Sequence, residues 1–289
     1  MIIAGEASGD LHGAGLISAI RASDPSIQFF GMGGDKMIAE GLNAQMNAKR
    51  MAFLGFIEVI RHLPFIMMVE KSLIKKIKEE NIKTLILIDY PGFNLRFARK
   101  AKKMGLKVIY YISPQVWAWG KGRVKKIKEL VDRMLVLFPF EETFYRNNGV
   151  DAAFVGHPLI ERINEYKFLS KEELFGKFGL DNKKEILLLL PGSRKHEIKK
   201  IFPVSVKAAV KTAEKLNMQV VVACSENIDV NVLRNAYDGE GYKIVKGNTY
   251  DLMKHSKFGI IKSGTSTLEA GIINLPYIVI YSTSSITFF

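Results

Sequence analysis

The sequence predicts an α/β protein with two Rossmann-like domains, each built on a parallel sheet and facing the other across a cleft. Short β-branched runs alternate with amphipathic helical stretches along the whole chain, the βαβ rhythm of a parallel sheet. Glycine, proline and small polar residues punctuate the ends of those runs, as in GHP at 156–158 and PGS at 191–193. A length of 289 residues exceeds one ordinary core and suits two domains. With 48% hydrophobic and 25% charged residues, no repeat of fixed period and no low-complexity segment, the chain reads as a folded globular protein.

In chain order, strands are predicted at IIAG (2–5), IQFFG (27–31), TLILID (84–89), KVIYYIS (107–113) and RMLVLF (133–138). A boundary is predicted within 156–170, where the Lys/Glu-rich helix SKEELFGKFG leads into new strands, and the domains are drawn as 1–158 and 159–289. The second set comprises EILLLL (185–190), QVVVAC (219–224), KFGIIKS (257–263) and YIVIYS (277–282). The stretch from Ala270 to Phe289 carries no charge but is interrupted by Asn274 and Pro276, and reads as a buried strand plus loop.

Residues 51–69, MAFLGFIEVIRHLPFIMMV, are strongly apolar yet hold Glu58, Arg61, His62 and Pro64, so a transmembrane span is not expected. A helix lying in a membrane interface or lining a lipid groove fits, and so does an ordinary buried helix pair. MIIAGEASGD has neither the basic start nor the apolar stretch of a signal peptide. The single cysteine, Cys224, lies in an apolar run and reads as a buried side chain, which fits a reducing cytoplasm. A net charge of +13 calls for an anionic partner, whether nucleic acid, acidic membrane or phosphorylated substrate, although the lysine runs read individually as solvated helix faces.

Four strand-end loops carry candidate chemistry. AGEASGD (4–10) offers backbone N–H groups and a helix dipole to an anion or a sugar hydroxyl, without the GxGxxG spacing of a dinucleotide site. Asp89, before YPGFNLR, can take a proton from an acceptor hydroxyl, or serve as a turn or helix-cap aspartate. In LLLPGSRKHEIKK (188–200), Gly192 lets the backbone approach a phosphate, Ser193 can cap the helix and Arg194 offers a forked cation to a diphosphate. In KSGTSTLEA (262–270), Ser263, Gly264 and Thr265 can hold phosphate oxygens while Glu269 accepts ribose hydroxyls. No DxD triplet and no HExxH spacing occurs, so no metal or other cofactor is expected.

Read together, AGEASGDLHGAGL, GMGG (31–34), LGFIEV (54–59), IDYPGFNLR (88–96), YYISPQVWAWGKGR (110–123), FPFE (138–141), FVGHPL (154–159), LLLPGSR (188–194) and SGTSTLEA (263–270) closely resemble the lipid-A-disaccharide synthase family. The resemblance implies a GT-B fold, with an acceptor- and lipid-binding domain at 1–158 and an incomplete UDP-sugar-binding domain at 159–289. It implies an inverting, metal-independent hexosyltransferase of lipid A biosynthesis in a Gram-negative bacterium. Its substrates would be UDP-2,3-diacylglucosamine and 2,3-diacylglucosamine 1-phosphate (lipid X), joined through a β-1,6 linkage with loss of UDP.

By the same resemblance Asp89 is the base or the group orienting the acceptor 6-hydroxyl, and Glu6, Ser8 and Asp10 belong to the loop facing the cleft. Arg194 meets the diphosphate, with Gly192, Ser193, Ser263, Gly264, Thr265 and Glu269 in the nucleotide pocket. Ile57, Val59, Ile60, Leu63 and Ile66 form the apolar patch for acyl chains and membrane. The expected location is the cytoplasm, peripheral on the inner face of the inner membrane, with no nucleic-acid partner and a possible homodimer. Relative to the family pattern the chain reads as clipped at its first strand and truncated after ITFF. The alternatives are another GT-B transferase, a UDP-sugar epimerase, or an inactive fragment that binds UDP or lipid.

Overall fold

A strand covered on both faces by helices needs apolar side chains on both, and EILLLL meets that requirement with Ile186 to Leu190 all buried. The computed structural model describes residues 1–51, 62–117 and 122–282. The chain divides into two units, Met1–Pro158 and Leu159–Phe289.

The first unit holds a seven-stranded sheet in the order β3-β2-β1-β4-β5-β6-β7, all pairs parallel. Its strands are β1 (Ile2–Ala4), β2 (Phe29–Gly33), β3 (Leu42–Asn47), β4 (Thr84–Ile88), β5 (Lys107–Tyr111), β6 (Arg133–Val136) and β7 (Ala152–Phe154). Its helices are α1 (Ala7–Ser23), α2 (Asp35–Ala39), α3 (Leu63–Glu79), α4 (Pro91–Lys103), α5 (Arg123–Leu130) and α6 (Pro139–Asn147), and α7 (Pro158–Asn164) leads into the second unit. Alternate strand residues serve opposite faces. Ile3, Leu85 and Leu87 pack with α3, α4 and α5, whereas Ile2, Ala4 and Ile88 pack with α1 and α2.

The second unit has a five-stranded parallel sheet in the order β10-β9-β8-β11-β12. Its elements are α8 (Lys171–Phe178), β8 (Glu185–Leu190), α9 (Lys195–Leu216), β9 (Met218–Cys224), α10 (Val230–Ala236), β10 (Tyr242–Lys246), α11 (Thr249–His255), β11 (Ser256–Lys262), α12 (Thr265–Ile272) and β12 (Tyr277–Ile280). Leu187 and Leu189 pack on α9, while Ile186, Leu188 and Leu190 share a cluster with α8, α11 and α12.

Both sheets reverse their strand order once, between β1 and β4 in the first unit and between β8 and β11 in the second. At such a reversal the helices leaving the two strands go to opposite faces and leave a crevice at the strand carboxyl ends. Accordingly α1 and α4 pack on opposite faces of the first sheet, and α9 and α12 on opposite faces of the second.

Three strands depart from the sequence reading. The segments LNAQMN, AAF and YKIVK, none of them expected as strands, form β3, β7 and β10, and each is a sheet edge. These three edge strands face water along one side and lack the continuous apolar character of the central ones. The expectation of a buried strand near the end is also corrected: β12 is an edge, with Ile278 and Val279 about half exposed. Cys224 is buried, as its apolar run predicted.

In the 51–69 segment, Ile57, Val59 and Ile60 lie outside the described residues. Leu63 is exposed at the start of α3, but Ile66, expected beside it on an apolar patch, is buried in the first unit's core. The exposed apolar residues of α3 are instead Leu63, Met67 and Met68, because the helix turns Ile66, Val69 and Leu73 inward. Among the described residues no helix is long and apolar enough to cross a membrane.

Candidate functional site

The loops singled out in the sequence are those that leave the four strands flanking the two reversals. In the first unit, β1 ends at Ala4 and Glu6 stands at the N-cap of α1 without a side-chain capping bond. Both Glu6 and Ser8 are exposed. Asp10 is not. Its Oδ1 accepts hydrogen bonds from the backbone N–H groups of Gly34 (2.7 Å) and Met37 (3.0 Å), and its Oδ2 accepts one from Lys36 (3.2 Å). Those donors are the open amides at the start of α2, so Asp10 caps that helix from a distance. The close fit also explains the bare Gly34, whose Cβ would lie 2.5 Å from Asp10 Oδ2. Asp10, expected among the catalytic candidates, is committed to holding α1 against α2.

Asp89 follows β4 in a left-handed conformation (φ 46°), and so does Tyr90 (φ 48°). Two successive non-glycine residues in this region persist only where the surroundings over-determine them. Here the Asp89 N–H donates to Tyr111 O (3.1 Å), while its C=O accepts from Asn94 Nδ2 (2.7 Å) and from the Tyr110 hydroxyl (2.6 Å). Fully buried Asn94 also donates to Ile88 O, and its Oδ1 has no hydrogen-bond partner among the described residues. The turn throws the Tyr90 ring onto Gly5, where any Cβ would collide with it, so the first and fourth strand-end loops interlock.

The Asp89 carboxyl is half-buried, and its pKa lies above the ordinary carboxylate value. Burial is the larger cause and the Glu6 charge the second, opposed by a hydrogen bond from the Tyr90 backbone. A carboxylate raised in this way is a better proton acceptor at neutral pH than an exposed one.

Other prominent motif residues of this unit serve the scaffold. Ser113 donates to Glu141 Oε1 (2.6 Å), and the other oxygen of this buried glutamate accepts from the N–H groups of Leu137 and Phe138. Tyr145 donates to Pro114 O (3.2 Å). The SPQ and FPFE segments are thereby tied together at the end of the sheet, and residues 118–121 of the WAWGK stretch lie outside the described residues.

In the second unit the loops after β8, β9, β10 and β11 enclose a pocket of about 430 Å³. Gly192, Ser193, Ser263, Gly264, Thr265 and Glu269 all line it. Gly192 adopts φ +111°, a conformation that L side chains rarely take, and this keeps the turn after β8 close and bare. Arg194 does not line the pocket. It is the N-cap residue of α9, its side chain is two-thirds exposed, and its guanidinium reaches only to 3.6 Å from Glu197.

The charged and aromatic lining comes mostly from residues the sequence reading passed over: Arg162, Glu197, Glu226, Tyr250 and Lys262. Tyr250 donates to Glu269 Oε1 (2.9 Å), and the Arg162 guanidinium lies over its ring, 5.6 Å from the centroid. Burial, then the neighbouring Glu269, pushes the Tyr250 hydroxyl pKa well up, so it stays a donor. Behind this wall the fully buried Asp251 accepts from Tyr166 OH (2.7 Å), Asn248 Nδ2 (2.7 Å) and Leu169 N (2.8 Å). Tyr166 packs edge-on against Tyr250. The signal for this corner was NTYD (248–251), a polar turn after a strand, hidden because the strand itself was not recognised.

Comparisons with known proteins show the family and the fold. The family profile described as lipid-A-disaccharide synthetase matches residues 1–289. The chain is 42% identical over 291 residues to a curated lipid-A-disaccharide synthase of Trichlorobacter lovleyi, an alignment covering all of this chain and 76% of that protein. Among solved structures, the UDP-GlcNAc 2-epimerase of Neisseria meningitidis bound to UDP-GlcNAc is similar at TM-score 0.61 and 12% identity, covering 95% of this chain and 81% of that one. The calicheamicin glycosyltransferase CalG4 is similar at TM-score 0.56 and 13% identity, covering 96% and 78%.

Proposed function

Because the chain belongs to the lipid-A-disaccharide synthetase family, we propose that it transfers the sugar of UDP-2,3-diacylglucosamine to the 6-hydroxyl of 2,3-diacylglucosamine 1-phosphate (lipid X). The chain is a GT-B glycosyltransferase of lipid A disaccharide synthesis. The observation that supports the finer reading is that the residues expected to bind the nucleotide, Gly192, Ser193, Ser263, Gly264, Thr265 and Glu269, line one pocket at the strand-order reversal of the second sheet.

In this reading the second unit grips UDP. The turn after β8 and the start of α12 offer N–H and hydroxyl groups to the diphosphate, and Glu269, oriented by Tyr250, takes the ribose hydroxyls. The first unit supplies the proton acceptor. Asp89 removes the proton of the acceptor 6-hydroxyl as that oxygen bonds to C1 of the donor sugar. The bond from C1 to the UDP oxygen breaks, the anomeric centre inverts, and UDP leaves with the negative charge. Glu6 raises the basicity of Asp89 through its charge. In this reading no metal or cofactor takes part. The exposed Leu63, Met67 and Met68 face acyl chains and the cytoplasmic side of the inner membrane, with no role for nucleic acid.

The decisive experiment is UDP release from UDP-2,3-diacylglucosamine with and without the 1-phosphate acceptor. Release that depends on the acceptor, with a β-1,6 disaccharide as product, supports the proposal. Epimerised UDP-sugar, or UDP binding without turnover, refutes it.

A further inference from the structure

Arg194 lies outside the lining of the second unit's pocket, and a different cation stands at the glycine turn. Lys262 is the last residue of β11, and its Nζ lies 2.9 Å from Glu197 Oε1. Both side chains are largely enclosed, at 17% and 12% exposure. Glu197 rises from the first turn of α9, and its other oxygen rests against the turn after β8: a Cβ on Gly192 would sit 3.0 Å from Glu197 Oε2 and 3.7 Å from Lys262 Cδ. The ion pair therefore lies against the bare turn after β8.

An ammonium carries three N–H donors, and Glu197 takes one of them. Charge gives the remaining donors a use. Among the described residues of the pocket lining two cations, Arg162 and Lys262, stand against three carboxylates, Glu197, Glu226 and Glu269. A diphosphate entering such a lining is repelled unless a cation turns directly to it. Arg162 is held over the Tyr250 ring, which leaves Lys262 as the lining cation beside Gly192. We propose that Lys262 is a diphosphate-binding cation of this pocket, held in position and partly neutralised by Glu197. The assignment rests on the reading of the pocket as a nucleotide site.

The test compares UDP, followed by calorimetry, with uridine, followed by ligand-observed NMR, on the whole chain. Lys262→Gln is expected to weaken UDP by about tenfold to a hundredfold, the loss of a charge-assisted contact, while uridine binding stays the same. Glu197→Gln retains an acceptor for Lys262 but removes a negative charge, so UDP is expected to bind about threefold tighter or more. Opposite signs for the two variants are the signature. An ion pair that serves only the fold would weaken UDP and uridine together in both variants, and that result overturns the proposal. UDP affinity unchanged in Lys262→Gln also overturns it while leaving the nucleotide reading intact. Failure of the unaltered chain to bind UDP overturns the nucleotide reading itself. Should Lys262→Gln lose uridine binding through misfolding, the Glu197→Gln result decides: no gain in UDP over uridine refutes the role of Lys262.

Discussion

Replacing Asp10 with alanine separates a scaffold carboxylate from a catalytic one. Three backbone N–H groups, those of Gly34, Lys36 and Met37, lose their acceptor, and two of the three bonds lie in buried surroundings. A hydrogen bond to a charged group is worth about 1.5 to 3 kcal/mol net. The three share one carboxylate and water can reach the Lys36 side, so the values do not simply add, and the loss comes to about 3 to 5 kcal/mol. For a unit of this size each kcal/mol moves the Tm by about 2 to 4 °C, which gives a drop on the order of 10 °C. Asp10→Asn keeps one oxygen for Gly34 and Met37 but points an amide N–H at the Lys36 N–H, and is expected to lose about 1 to 3 kcal/mol. Scanning calorimetry reads the stability, and single-turnover transfer at a temperature where the variants are folded reads the chemistry. Transfer per folded molecule is expected to fall far less than for an Asp89 variant. An unchanged Tm with transfer abolished would show that Asp10 acts on substrate, and the scaffold assignment would be wrong.

Asp89→Asn is expected to lower kcat by about 10² to 10⁴-fold with UDP affinity nearly unchanged, and equal loss of both would refute its role as base. The same variant is expected to be more stable than the parent at neutral pH. Burial and Glu6 raise the folded-state pKa of Asp89, so its ionised form is disfavoured in the fold. The gain is complete above that raised pKa and vanishes as the pH falls below the ordinary carboxylate range; thermal melts from pH 3 to 8 check the sign. Tyr250→Phe leaves Glu269 without its orienting donor and is expected to shrink the preference for UDP over 2′-deoxy-UDP by about threefold to tenfold, measured by competition binding. Chelation with EDTA is expected to leave the rate of UDP release unchanged, and a loss restored by added divalent metal would overturn the metal-free reading.

The central strands and the loops leaving them were legible in the residues because buried parallel strands need near-continuous apolar runs. TLILI and EILLLL carry that requirement openly, and the small and polar residues after them mark where the chain turns toward a ligand. Among the edges only β12, with its apolar YIVI, was legible; β3, β7 and β10 were not, since LNAQMN and YKIVK are interrupted by polar residues and AAF is only three residues long. Missing β10 concealed the turn after it, and with it Tyr250. Side-chain roles divided along the same line. Residue type and local spacing marked Asp89, Arg194 and Glu269, and the family resemblance marked Asp10, but which of them meets a ligand depends on partners far away in sequence. Asp10 is claimed by amides 24 to 27 residues downstream, and Lys262 is brought to Glu197 across 65 residues. Local chemistry therefore selected the loops, and long-range packing assigned their side chains to scaffold or to pocket.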